Sequence, residues 1–185
     1  ETGGPQGGPW RPPAEDQGGE YGEATPALTA TITGFKNSET LATSGVTGSP
    51  DLSSAADPSS PVGDYPINAA LGTLAASNYS FTFAAGNLEV THATLLVTAD
   101  DQSREYGEAN PTLTATITGF KNSEILATSG VTGAPDLSSA ADPSSPVGDY
   151  PITAALGTLA ASNYSFSFAA GNLAVTKAAL LVTAD

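Results

Sequence analysis

Residues 20–100 of this chain return, nearly unchanged, as residues 105–185, and that repetition constrains the fold more than any other feature. Tyr21-Gly22-Glu23-Ala24 recurs as Tyr106-Gly107-Glu108-Ala109, and the two copies differ at only nine positions. Near-identical neighbours of this length imply two domains, each just large enough for its own core. They also imply recent duplication, which favours a part whose value grows with copy number over a catalytic domain. The sequence divides into a Gly/Pro-rich lead-in (1–19), repeat one (20–100), a short linker (101–104) and repeat two (105–185). A boundary near 91–94 is the alternative, because the apolar runs at 88–90 and 95–99 are separated by only four residues. Under that alternative, residues 180–184 would open a further domain.

Inside each copy the dominant period is two, the mark of half-buried strands. Leu28, Ala30 and Ile32 alternate with threonines; Tyr65, Ile67, Ala69 and Leu71 alternate with Asp64, Pro66, Asn68 and Ala70; Tyr79, Phe81 and Phe83 alternate with Ser80 and Thr82. Short runs at 88–90 and 95–97 add two more strands. Gly, Pro, Asn and Asp clusters separate the runs as turns. Pro66 lacks an N–H for a ladder and so predicts an edge or a strand start. Residues 52–56 could make one helical turn, and nothing supports a long helix. Four of the nine substitutions, at Ala27, Asn68, Thr82 and Glu89, fall on the predicted outward faces. The fold expected is all-β, two tandem β-sandwich-like repeats in the immunoglobulin style, with a β-grasp-like mixed sheet as alternative.

Charge and composition exclude several functions. Nineteen acidic residues against five basic ones give a net charge of -14, which offers neither phosphates nor anionic lipid a basic patch. No nucleic-acid or membrane partner is expected, and an acidic monomer is. No run of about 18 apolar residues exists to span a bilayer. Cysteine is absent, which removes a thiol nucleophile, a Cys-ligated zinc and a disulfide framework. Glu1-Thr2-Gly3 reads as the remnant of signal cleavage in a secretion vector, and the chain reads as a fragment of a longer protein. Trp10, the only tryptophan, falls in the lead-in and reads as a solvated residue.

Candidate chemistry is sparse. The only histidine, His92, is replaced by Lys177 in the second copy, so a general base built on it would exist once; no enzyme activity is expected. Asp100, Asp101 and Glu105 gather carboxylates at the junction and are the candidates for Ca²⁺, which takes six to eight oxygens. No Asp-x-Asp-x-Asp-Gly loop supports them, so the expectation is no metal and no cofactor. Lys36 and Lys121 recur and could crosslink to an asparagine, but Phe-Lys-Asn-Ser-Glu reads as an exposed turn. Asn78 and Asn163 carry the Asn-x-Ser acceptor pattern and would be glycosylation sites in a eukaryotic host. Tyr65 is expected to be a buried tyrosine whose hydroxyl bonds to backbone, as in a tyrosine corner.

The spaced signatures Tyr-Gly-x-x-x-Pro-x-Leu-Thr, Thr-Gly-Phe, Thr-Ser-Gly, Pro-Val-Gly-Asp-Tyr-Pro-Ile, Asn-Tyr-x-Phe and Gly-Asn-Leu-x-Val-Thr occur in this order in both copies. Together, over 21–91 and 106–176, they resemble the MBG domain of Tyr-Gly type. The resemblance implies tandem arrays in large bacterial surface and secreted proteins, a mostly-β fold and no catalytic residues. From it follow an extracellular, cell-surface location and neighbouring repeats of the same chain as partners. The role expected is a stalk or adhesin spacer; the alternative is a module that binds a host protein or glycan through exposed loops.

Overall fold

The computed structural model describes residues 17–184. It is all-β, with no helix among the described residues, and divides into two compact units, residues 1–91 and 92–185. The division falls at the alternative boundary of the sequence, ahead of the apolar run at 95–99, and not at 101–104.

Unit 1 holds β1 (Gln17–Glu20), β2 (Asp51–Ser54), β3 (Gly63–Ala70) and β4 (Gly86–Thr91) in one sheet of order β1-β4-β3-β2. β1 runs parallel to β4, whereas β3 is antiparallel to both β4 and β2. Alternation sets the register: Tyr65, Ile67 and Ala69 turn inward while Asp64, Pro66, Asn68 and Ala70 are exposed. Ile67 and Leu88 are the fully buried residues at the centre. Each such side chain contributes about 1.5–3 kcal/mol by leaving water. Two facing turns need glycine: a Cβ on Gly48 (φ 77°) would lie 2.1 Å from the Thr73 carbonyl oxygen, and one on Gly72 (φ 54°) 2.5 Å from that of Ser49.

Unit 2 repeats this sheet and adds a second. β6 (Gln102–Glu105), β8 (Asp136–Ser139), β9 (Gly148–Ala155) and β11 (Gly171–Thr176) pair in the order β6-β11-β9-β8. The added sheet places β5 (Ala93–Ala99) between β10 (Tyr164–Ala169) and β7 (Ala115–Thr118), parallel to the first and antiparallel to the second. Ala93, Leu95, Val97 and Ala99 alternate inward along β5 and are all buried. The two sheets close on one core, in which Ala99 packs with Ile152, Leu173 and Ala141. Unit 2 is thus a sandwich with mixed sheets. Its parallel pairs are a feature of the mixed-sheet alternative and not of an antiparallel immunoglobulin sandwich.

Several expectations change. Gln17, Gly18 and Gly19, assigned to the lead-in, belong to β1, and the supposed linker 101–104 runs into β6. Both segments find a parallel partner far downstream, β1 at Leu88–Thr91 and β6 at Leu173–Thr176, which no local pattern announces. Trp10 and the other lead-in residues up to 16 lie outside the described residues. Residues 52–56 form no helical turn, because 51–54 pair with β3. Pro66 sits in an interior strand, yet β2 reaches only Ile67–Ala70, so the sheet is open at the proline on that side. Leu71, expected inward, lies past the end of β3 and is 50 % exposed. Among the described residues, the strands expected from Leu28 and from Tyr79 form only in unit 2, as β7 and β10. A strand needs a ladder partner, and β5 supplies one to both.

Candidate functional site

One concave feature of unit 1 follows from that difference. Residues 30–33 and 79–84 are the copy-one counterparts of β7 and β10, the strands that flank β5 in unit 2. Among the described residues no strand stands between them, and they line a cavity of about 190 Å³ shared with Val46, Ala69 and Leu74. Its walls are aromatic and aliphatic side chains interleaved with Thr31, Thr33, Ser80 and Thr82. Among the described residues no histidine and no carboxylate lines it.

One end of the cavity is held by Tyr79. Its ring meets Phe35 edge-on, with centroids 5.9 Å apart at 83°. Its hydroxyl accepts the Lys36 N–H at 3.1 Å and donates to the Glu39 carboxylate. The bond to Glu39, which favours the protonated phenol, raises the Tyr79 pKa above its usual value of 10.0. Lys36 and Glu39 reach the hydroxyl together because they close a tight turn whose central residues, Asn37 (φ 52°) and Ser38 (φ 59°), are both left-handed. Such a turn returns the chain on itself in two residues. Tyr164, Lys121, Glu124 and Phe120 repeat the arrangement in unit 2. Lys36 is thus in the exposed turn expected, and its main-chain N–H is the group engaged.

The other sequence candidates are scattered. His92 and Lys177 are exposed, as is Asn78, whereas Asn163 is half-buried and its carbonyl accepts the Ala93 N–H at 3.1 Å. Asp100 accepts from the hydroxyls of Thr114 and Thr116, both at 2.7 Å, and Asp101 accepts the Asn172 N–H at 2.7 Å. Glu105 lies in β6, and the two aspartates serve separate partners. Among the described residues no group of three His, Cys, Asp or Glu is placed to hold a metal. The Tyr65 hydroxyl donates to the Pro61 carbonyl at 2.8 Å, four residues upstream, as expected; the ring is half-buried.

Asp57, Asp100 and Asp142 all have pKa values below the usual 3.8. The first cause at each is a side-chain hydrogen bond, from Ser59, Thr114 and Ser144 respectively. A carboxyl whose folded pKa is depressed adds stability that is complete above its unfolded value and disappears as pH falls through the folded one. The melting temperature is therefore expected to hold from neutrality to about pH 5 and to fall below about pH 4. Asp57→Asn, Asp100→Asn and Asp142→Asn together should flatten that acid limb in melts across pH. An unchanged limb would refute the assignment.

Arg104, which the sequence placed in the short linker 101–104, is buried at 6 % exposure. Its Nε donates to Asn110 Oδ1 at 2.7 Å, its Nη1 to the Glu105 carbonyl at 3.1 Å and its Nη2 to the Asp142 carbonyl. Asn110 in turn donates to the Ala141 carbonyl at 2.7 Å. In unit 1 the same two positions are Gly19 and Thr25, which line a recess of about 10 Å³. Thr25 bonds the Ala56 carbonyl, the counterpart of Ala141, at 3.2 Å. The paired change, Gly19 with Thr25 against Arg104 with Asn110, is the trace the sequence did hold.

Comparison with known proteins gives one family. The model of the MBG domain (YGX type) matches twice in tandem, over residues 13–89 and 95–174. No curated protein and no solved structure matches.

Proposed function

Because the chain belongs to the MBG domain family (YGX type), carried twice in tandem, we propose that it is a non-catalytic structural repeat of an extracellular bacterial surface protein, spacing a distal domain from the cell. The observation that carries this reading is the join. β4 ends at Thr91 and β5 begins at Ala93, so a single residue, His92, separates a strand of unit 1 from a strand of unit 2. One residue spans at most about 3.6 Å. A spacer needs such joins, because a loosely jointed chain lengthens only with the square root of copy number. Near-identical copies and a net charge of -14 support the reading, since like-charged neighbours resist folding back on one another.

Small-angle scattering on chains of two, four and six copies tests it. The maximum dimension is expected to grow in proportion to copy number. Growth as the square root, or a size that stays compact, would overturn the spacer role.

A further inference from the structure

Asp142 precedes Pro143 in the loop between β8 and β9, and Asp57 precedes Pro58 in the matching loop between β2 and β3. The two loops have one sequence, Ser-Ala-Ala-Asp-Pro-Ser-Ser-Pro, at 54–61 and at 139–146. In unit 2, Asp142 Oδ1 accepts the Ser144 N–H at 2.8 Å, the Ser144 hydroxyl at 2.7 Å and the Ser145 hydroxyl at 3.3 Å. In unit 1, Ser59 and Ser60 give Asp57 Oδ1 the same three bonds, at 2.8, 2.6 and 3.4 Å. The main-chain carbonyl of each aspartate accepts an N–H three residues on, from Ser145 at 2.9 Å and from Ser60 at 3.0 Å. The loops part at one point. Nη2 of the buried Arg104 also donates to the Asp142 carbonyl, whereas the position of Arg104 is Gly19 in unit 1.

A carbonyl oxygen held between a main-chain N–H and a guanidinium has the donor set of an oxyanion hole. Such donors stabilise the charge that develops on oxygen when the carbonyl carbon is attacked. A nucleophile stands in the same residue. The serines engage Asp142 Oδ1, and among the described residues Oδ2 has no hydrogen-bond partner. Attack by Oδ2 on the carbonyl carbon of its own residue closes a five-membered ring. The group that must leave is the Pro143 nitrogen, part of a tertiary amide, which departs as a basic secondary amine.

We propose that the Asp142–Pro143 bond is a self-cleavage site, with the Asp142 carboxylate as nucleophile and Arg104 and the Ser145 N–H as oxyanion donors. Asp142 Oδ2 bonds to the main-chain carbonyl carbon, the C–N bond to Pro143 breaks, and the nitrogen takes a proton from solvent. The cyclic anhydride left on Asp142 adds one water and opens to the two carboxyl groups of a C-terminal aspartate. The net change is hydrolysis of one peptide bond, once per chain. Asp142 and Pro143 are exposed, so water and hydronium reach both. Hydrogen bonds, that from Ser144 first, hold the Asp142 carboxyl below its usual 3.8 and keep the nucleophile ionised in mild acid. The cut leaves β8 laddered to β9, β6 to β11 and β5 to β10, so the two pieces stay together until the protein is unfolded. This goes beyond the spacer reading and does not depend on it.

Asp57–Pro58 is a control within the same chain, because any Asp–Pro bond breaks slowly in acid. The full chain is incubated for days at about pH 5, where the fold is expected to hold, and its fragments are weighed by mass spectrometry after denaturation. Cleavage at Asp142–Pro143 is expected to run at least roughly tenfold faster than at Asp57–Pro58, and the two rates should become equal in urea. Arg104→Gly with Asn110→Thr recreates the unit 1 pair and should bring the faster rate down to that of Asp57–Pro58. Asp142→Asn should slow cleavage at its own bond at least roughly tenfold and leave Asp57–Pro58 unchanged. Equal rates at the two bonds of the folded chain, a preference that persists in urea or in the double variant, or fast cleavage that survives Asp142→Asn would each overturn the proposal.

Discussion

Leu95→Ala is expected to destabilise unit 2 by roughly 2–5 kcal/mol, while Leu180→Ala, the same residue of the repeat in the other copy, changes stability by no more than about 0.5 kcal/mol in dilute solution. Leu95 is 0 % exposed between the two sheets, whereas Leu180 is 91 % exposed. The sequence places Leu95 at the end of copy one, so a fold in phase with the sequence repeat would lose stability in unit 1 instead. Denaturant melts followed by hydrogen exchange distinguish the two, because the amides that lose protection should be those of β7 and β10. Equal losses from the two substitutions would mean that β5 is not the strand that closes unit 2.

Arg104→Ala is expected to cost about 2–4 kcal/mol, because three acceptors lose a charged donor at once and the space left is buried. The Asn110 amide, the Glu105 carbonyl and the Asp142 carbonyl have no reason to stay in place without it. Lysine should not rescue the loss, since its single ammonium cannot reproduce the guanidinium fork. Arg104→Gly combined with Asn110→Thr recreates the pair Gly19 and Thr25, and should cost at least about 1 kcal/mol less than the sum of the two single changes. Strict additivity in that cycle would show the two positions to be independent.

Much of the sheet is legible in the sequence. Tyr65, Ile67 and Ala69 alternate against Asp64, Pro66 and Asn68, and the copies differ at Asn68 and Glu89 but never at Ile67 or Leu88. Both observations report the side of the pleat, a property local to a few residues. Allegiance of a strand is not local. β5 has the same pattern whichever unit owns it, and its partner β10 does not begin until Tyr164. β1 and β6 were missed for the same reason, since Gln-Gly-Gly-Glu and Gln-Ser-Arg-Glu carry no alternating pattern, and their parallel partners lie far downstream.

The candidate site was less legible still. Lys36, Asn37 and Glu39 announced an exposed turn, but only the fold brings Glu39 to the Tyr79 hydroxyl, which lies far along the chain. The cavity beside them depends on which strand stands between two others, and no single copy of the sequence contains that information.

The long reach of β5 also has a consequence for synthesis on the ribosome. Unit 1 can pair β4 with β1 as soon as Thr91 has emerged, but β5, which opens at Ala93, must wait for β10, which opens at Tyr164. At ribosomal rates of synthesis that interval lasts roughly 4–14 s, during which Leu95, Leu96 and Val97 lack the β10 side of their ladder. An apolar strand with an open edge recruits other nascent chains. Asp100 and Asp101 follow it directly, and charges at the flank of such a strand hold nascent neighbours apart until the last strand arrives.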